Sequence, residues 1–184
     1  MLDQYLQYIE QLPDSRELRR DDLINPDFLI EKENNLQMYY SPHNEYINYQ
    51  AKIVIVGIAP GWTQMKRAFE TFVALKAAGN LNVDRILEEA KKEASFSGTM
   101  RLNLIHMLDE IKLHDALGLP GTSCIFEDSR SLLHTTSMIK HPVFFTKIKI
   151  ILVTNLKLIT ARFFLNMHMI GLLMKLIRYL HPHY

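Results

Sequence analysis

Cysteine is almost absent from this sequence, with Cys124 alone among 184 residues. An internal disulfide and an all-cysteine metal or iron–sulfur site are thereby excluded, and a reducing cytoplasm is the expected compartment. Long apolar runs are absent too, because no stretch reaches the roughly 20 apolar residues of a membrane span. The first twelve residues lack the basic start and apolar run of a secretory signal. We expect a cytoplasmic protein without an integral membrane segment.

Acidic residues are absent from the last part of the chain. All 20 Asp and Glu lie in residues 1–128 beside 13 Lys and Arg, which gives 13 − 20 = −7. Residues 129–184 hold the other 8 Lys and Arg and no acid, a charge of +8. Such asymmetry marks either a basic arm that binds nucleic acid or a membrane surface, or two segments that did not evolve together.

Residues 1–142 carry the patterns of an α/β domain. Ala51–Gly57 contains four consecutive β-branched residues, which predicts a strand buried on both faces. A second strand is predicted at 132–139, with helices over 1–11, 63–77, 83–94 and 100–113. The inward residues of the helices predicted at 63–77 and 100–113 are Met65, Ala68, Phe69, Phe72, Leu75, Leu104, Met107, Leu108 and Ile111. Because helices separate the two strands, the strands should be parallel.

The segment Gly57-Ile58-Ala59-Pro60-Gly61 lies between the first strand and a helix. Ligands bind at the carboxyl ends of strands in open α/β sheets, and glycines allow a close approach of the backbone. A helix N-terminus offers amide donors to a phosphate or an anionic intermediate. An ordinary strand-to-helix turn explains the segment equally well. It is not a nucleotide P-loop, because the Gly-Lys-Ser/Thr element is missing.

Three segments together resemble the uracil-DNA glycosylase superfamily over about residues 40–145. The segment 54–61 is similar to its first active-site motif, a strand followed by Gly-x-x-Pro. Ser95-Phe96-Ser97-Gly98 with the following helix is similar to the Phe-x-Gly loop of the thermostable iron–sulfur branch. Residues 133–142 look like that branch's next strand. The resemblance implies a monofunctional DNA-repair enzyme that extrudes uracil or a related damaged base and hydrolyses its N-glycosidic bond.

The resemblance also suggests roles for individual residues. Phe96 matches the aromatic residue that stacks on the base, and Ser137 occupies the place where the family often has a base-reading Asn. The backbone of Ile58–Trp62 would lie near the sugar and the attacking water. Ile58 and Ala59 replace the acidic or amide residue that positions water in related enzymes, which leaves Gln64 and Glu70 as nearby candidates.

Each of these residues also has a structural interpretation. Phe96 could be a packing aromatic, and Trp62 could stack on nucleic acid or pack in a half-exposed loop. Ser137 could merely end a strand, and Glu70 is more typical of a solvated helix face. The histidines lack metal-ligand spacing, so we expect neither a metal cluster nor another cofactor. The predicted substrate-binding set is therefore Gly57, Ile58, Ala59, Pro60, Gly61, Trp62, Phe96 and Ser137, with Gln64 as the catalytic candidate.

The segment 147–184 has a different character, with one glycine, no acid and many Ile, Leu, Met and Lys. The superfamily's second active-site loop, which is His-Pro-Ser-like, is missing, since His181-Pro182-His183 is not followed by Ser. We hypothesise that this segment is translated out of frame, because back-translation of 149–157 permits a turn-rich sequence in a shifted frame. A basic amphipathic tail for anionic membranes or nucleic acid is the rival interpretation.

These observations predict a three-layer α/β/α fold with a short parallel sheet, incomplete at the C-terminus. The domain would span 1–146 and the aberrant basic apolar tail 147–184. We expect a monomer that acts on DNA containing a damaged base, with weak or absent activity because open sheet edges favour aggregation. The alternatives are a non-catalytic α/β nucleotide or phosphate binder and a membrane-surface or interaction protein that acts through the tail.

Overall fold

The computed structural model describes residues 1–13, 17–79 and 82–145, all of which belong to one compact unit, Met1–Thr146. The segment 147–184, with the hypothesis about its reading frame, lies outside the described residues. The six α-helices in the described part of the chain are α1 (Leu2–Ile9), α2 (Arg20–Leu23), α3 (Trp62–Ala78), α4 (Val83–Ala94), α5 (Thr99–Glu110) and α6 (Leu113–Leu117). The described strands are β1 (Leu29–Glu33), β2 (Leu36–Tyr39), β3 (Ile53–Gly57), β4 (Leu133–Ser137) and β5 (Val143–Phe145). The chain therefore has a mixed α/β fold.

The two predicted strands are present and pair in parallel. β3 and β4 align from Ile53 opposite Leu133 to Gly57 opposite Ser137. Because both strands run in the same direction, their carboxyl ends lie side by side, with Gly57 and Ser137 as neighbours. This pairing confirms the expectation of a parallel connection, and the two strands form a two-stranded sheet within the described residues.

A second sheet was not predicted from the sequence. β1 and β2 form an antiparallel hairpin, and β5 pairs antiparallel with β2 on its other edge. Asn34 lies in the hairpin turn with φ of 52°, a left-handed conformation that asparagine tolerates better than most residues. The segment 29–39 shows little alternation of polar and apolar residues. Its pairing with β5 joins residues about a hundred positions apart, which no local pattern reveals.

The main core lies around the inner face of α3. Met65, Ala68, Phe69 and Phe72 are fully buried there, as the helical spacing predicts. The helix ends at Gly79, whose φ of 69° provides the left-handed C-cap. Residues from α1, from the segment 18–28, from the end of β2 and from α4 complete this cluster, namely Tyr5, Ile9, Leu18, Leu23, Phe28, Tyr39, Tyr40, Ile86 and Leu87.

The predicted burial of both faces of β3 is wrong. Ile53 and Ile55 pack against a smaller cluster formed by Ile125, Phe126 and Leu133. Val56, which points to the opposite side, is 45% exposed. The reason is that successive side chains of a strand alternate between faces, and only one face of this two-stranded sheet is well covered. In the described part of the chain, β3 therefore resembles a strand with one solvent-facing side.

The inward face predicted for α5 is also partly wrong. Leu104 and Leu108 pack against the smaller cluster together with Ile105. Met107, however, is 63% exposed and Ile111 is 71% exposed. The helix ends at Glu110, so Ile111 no longer follows its periodicity. The partly buried stripe passes through Leu104, Ile105 and Leu108, and Met107 therefore points away from the cluster.

Candidate functional site

A cleft of about 380 Å³ opens at the carboxyl ends of the parallel strands. Its walls come from the loop after β3 with the first turn of α3, the end of α4 with the loop that follows and the start of α5, the end of β4, and the turn Pro42–Asn44. These segments supply Gly57, Ile58, Ala59, Pro60, Gly61, Gln64, Phe96, Thr136 and Ser137, together with His43, Asn44, Lys91, Ala94, Ser95, Met100 and Thr135. A cavity of this size falls within the range of small-molecule sites.

The loop after β3 forms one wall of the cleft. Pro60 is buried and fixes the backbone, whereas the Ile58 side chain is 69% exposed. At the start of α3, the Gly61 N–H donates to Gln64 Oε1 at 2.9 Å. Gln64 therefore caps this helix N-terminus from its third position, and Gly61 has no side chain that could complete a capping box. Its side-chain oxygen is engaged by the backbone, which weakens its predicted role in positioning water.

Phe96 lies against the end of β3. An ideal Cβ built on Gly57 would lie 3.7 Å from Phe96 Cζ and 3.5 Å from Ser137 Oγ. The aromatic ring, the glycine backbone and the serine hydroxyl thus meet at one point of the cleft. The ring also packs against the cluster around Ile125. Phe96 therefore both contributes to packing and lines the cleft.

Hydrogen bonds hold the loop that presents Phe96. Phe96 has φ of 51°, which is uncommon for an aromatic residue and strains the backbone. Ser95 Oγ lies 2.6 Å from Thr135 Oγ1 and so ties the loop to β4. The Arg101 guanidinium donates to the carbonyl oxygens of Lys92 and Ser95, both at 2.7 Å. These contacts stabilise the left-handed backbone conformation of Phe96.

Trp62 does not reach the cleft and is not among the described residues that line it. It is the first residue of α3, and its side chain packs against the main core. The Arg20 guanidinium lies 5.5 Å from the centre of its ring, a cation–π arrangement. Glu70, the weaker alternative to Gln64, accepts a hydrogen bond from the Leu18 backbone N–H at 3.2 Å instead of facing the cleft. Glu70 is therefore a structural residue and not a solvated one.

Several polar residues of the cleft were missed by sequence reasoning. His43 and Asn44 lie in the buried 3-10 turn Pro42–Asn44, and the adjoining wall contains Lys91 of α4. The Lys91 ammonium donates to Asn44 Oδ1, and Asn44 Nδ2 donates to the Lys140 carbonyl. The only local signal was a histidine and an asparagine next to a proline, which is also typical of an ordinary loop. Lys91 was hidden in a helix rich in Glu and Lys.

Burial and cations dominate the electrostatics of this region. Burial, followed by the nearby cations, holds the pKa of His43 well below its usual value. Burial, followed by the nearby cations Arg130 and Lys140, lowers the pKa of Lys91 to about 7. Arg130 is partly buried, and its Nη2 donates to Ser95 Oγ at 3.1 Å. The interior behind the cleft is therefore rich in positive charge and neutral histidine, which favours a neutral or anionic ligand over a cationic one.

We expect His141 to make folding stability depend on pH. His141 is buried, its Nδ1 accepts a hydrogen bond from the Ser41 N–H at 3.3 Å, and burial lowers its pKa to about 3. Between pH 6.5 and 3 the unfolded chain binds a proton that the folded chain does not, so stability falls as pH decreases. The substitution His141→Asn should reduce this slope by up to about 1.4 kcal/mol per pH unit, a limit approached below the ordinary histidine pKa of about 6.5. Urea denaturation at pH 7, 6 and 5 measures it, and an unchanged slope contradicts the expectation.

Two features are absent from the described residues, a cluster of metal-ligating side chains and a membrane-spanning helix. No group of three His, Cys, Asp or Glu side chains among residues 1–13, 17–79 and 82–145 is arranged to hold a metal ion. Within the same ranges, no helix has the length and apolar character required to cross a membrane.

The fold and the cleft define a class, a mixed α/β protein with a ligand-sized cleft at the ends of two parallel strands. No protein-family model matches the chain, and no solved structure matches it. Over 143 residues the chain is 43% identical to the uncharacterized protein YoxB of Bacillus subtilis (strain 168). The alignment covers 78% of this chain and 55% of that relative. The chain thus spans about half the length of the curated relative that it matches.

Proposed function

We propose that the cleft holds a nucleobase turned out of DNA and that the protein belongs to the uracil-DNA glycosylase superfamily. The main supporting observation is that the ring of Phe96 lies beside Gly57 and Ser137 at the turn that contains Pro60. A planar base fits against an aromatic ring, and a glycine leaves room for it. The Ser137 hydroxyl can donate to or accept from the polar edge of the base.

The proposed reaction is hydrolysis of the N-glycosidic bond of uracil or a related damaged base. Water attacks the sugar carbon, the bond to the base breaks, and the base leaves as an anion that then takes up a proton. The positive interior behind the cleft favours the developing negative charge. Neither a metal nor another cofactor is needed, and the partner is DNA in the cytoplasm.

The proposal includes the finer architecture, a three-layer α/β/α domain in which the parallel sheet continues beyond β3 and β4. The exposed side chains of Val56 and Met138 support it, because further strands or helices would cover them. We also propose that the protein is a monomer, and that excision by this chain alone is weak or absent.

The rival function, phosphate binding by Gly57–Gly61, is disfavoured by one contact. A phosphate loop needs free backbone N–H groups at the helix N-terminus. The Gly61 N–H already donates to Gln64 Oε1. The third candidate, an interaction protein that acts through its basic tail, depends on residues outside the described ranges.

Excision assays test the proposal. The protein, in excess over uracil-containing single- and double-stranded oligonucleotides, is incubated and the abasic sites are cleaved with alkali. Oligonucleotides with hypoxanthine or alkylated bases serve as further substrates. A second protein, expressed from a gene whose reading frame is shifted after residue 146, runs alongside. We expect slow product formation by the first protein and faster formation by the second, and the proposal is lost if both leave every substrate intact.

A further inference from the structure

Lys91 is a buried amine that lines the cleft. It lies on the inner face of α4, its side chain is almost completely inaccessible to solvent, and it contributes to the same wall as Ser95 and Phe96. Lysine is among the residues that are least often buried, because removing its charge from water is costly. A lysine in this position therefore requires an explanation beyond packing.

The partners of Lys91 do not stabilise a positive charge. Its ammonium donates to the amide oxygen of Asn44, which is neutral. None of the ion pairs between described residues includes Lys91, although Lys92 next to it pairs with Glu89. The charged groups that influence its pKa most strongly are Arg130 and Lys140, both of which are cations. Burial and these cations lower its pKa to about 7, so a substantial fraction of the amine is unprotonated at neutral pH.

An unprotonated primary amine in a cleft is the nucleophile that forms imines with aldehydes. We propose that Lys91 is an imine-forming residue, and that its substrate is the open-chain aldehyde of an abasic deoxyribose in DNA. The choice of an abasic sugar rests on the proposed function, because base excision leaves this sugar in the same cleft. The lysine would add a strand-cleaving lyase activity to a hydrolytic one.

The reaction balances without a further co-reactant. Lys91 Nζ attacks C1′ of the aldehyde, and the carbinolamine loses water to give a protonated imine. A proton leaves C2′ to solvent, and the electron pair expels the 3′-phosphate with cleavage of the C–O bond. Water then hydrolyses the imine, which releases the unsaturated aldehyde and regenerates the amine. Asn44 orients Nζ throughout by accepting one of its hydrogens.

Borohydride trapping on preformed abasic sites tests the inference. The full chain is incubated at pH 7 with an oligonucleotide that already contains an abasic site, and sodium borohydride reduces any imine to a stable secondary amine. Denaturing electrophoresis detects the protein–DNA adduct, and mass spectrometry of digested protein identifies the modified residue. We expect the adduct on Lys91. Lys91→Met and Lys91→Arg should lower its yield by at least about tenfold, because neither side chain provides a primary amine.

The matched control is Lys92→Ala, the next residue on the same helix, whose side chain is 38% exposed and lies outside the cleft. Lys92→Ala should give the same yield of protein–DNA adduct as the original chain. Thermal melting checks that all variants fold. The inference is overturned if the original chain forms no adduct or forms it at other lysines. This result does not depend on whether the variants fold. Excision is measured separately on uracil-containing DNA. Trapping without excision contradicts only the proposed glycosylase, whereas excision without trapping contradicts only the role of Lys91.

Discussion

Phe96→Ala is expected to lower the single-turnover rate of base excision by about 5- to 150-fold. The estimate follows from base–aromatic stacking, which contributes about 1–3 kcal/mol per base. The ring lies beside Gly57 at the end of β3, where an everted base would enter. Phe96→Trp should retain most of the activity, because the indole preserves a stacking surface. The measurement is the rate constant of alkali-labile product formation with protein in excess.

Phe145→Ala is the control for a general effect of removing an aromatic ring. Phe145 is 44% exposed at the end of β5 and lies outside the cleft, so its loss should leave the rate unchanged. Phe96 also packs against the cluster around Ile125, so melting temperatures must accompany the rates. Equal rates for Phe96→Ala and the original chain, with both folded, would mean that the ring only packs.

The local elements could be predicted because their signals are local. α4 has the predicted bounds, Val83–Ala94, and α3 extends the predicted helix by one residue at each end. A run of β-branched residues marked β3, and the helices between the strands implied parallel pairing. The antiparallel sheet has no such signal, because the strand conformation of β5 depends on its pairing with β2 and not on its own three residues.

Some residues of the cleft could likewise be predicted from local sequence signals, and others could not. Glycine, proline and an aromatic residue at the ends of strands and helices pointed to Gly57, Pro60 and Phe96, which the structure brings together. Trp62 was wrongly placed there, since a helix start can turn its first side chain toward the core. His43 and Lys91 were missed because a buried polar residue has the same local sequence as an exposed one. Only tertiary contacts remove such residues from water.

The second large effect is expected in the main core, on which the position of α3 beside the cleft depends. Phe69 is fully buried on α3, and its ring centre lies 4.9 Å from that of Phe28 and 6.3 Å from that of Tyr40. Phe69→Ala should lower the free energy of unfolding by about 3–5 kcal/mol, since it removes apolar contacts and leaves a cavity. Domains of this size are stable by only about 5–15 kcal/mol, so the variant approaches the limit of folding.

Arg67→Ala, on the exposed side of the same helix, is the matched control and should change stability by less than about 0.5 kcal/mol. Urea denaturation followed by circular dichroism compares the two variants. Similar losses for both would mean that α3 does not bury the face formed by Met65, Phe69 and Phe72. Because the N-terminus of α3 carries the Gly61–Gln64 cap beside the cleft, Phe69→Ala should also weaken any ligand binding there, although Phe69 lies outside the cleft. Binding and stability should then decline together in Phe69→Ala, whereas Phe96→Ala should reduce binding with a smaller loss of stability.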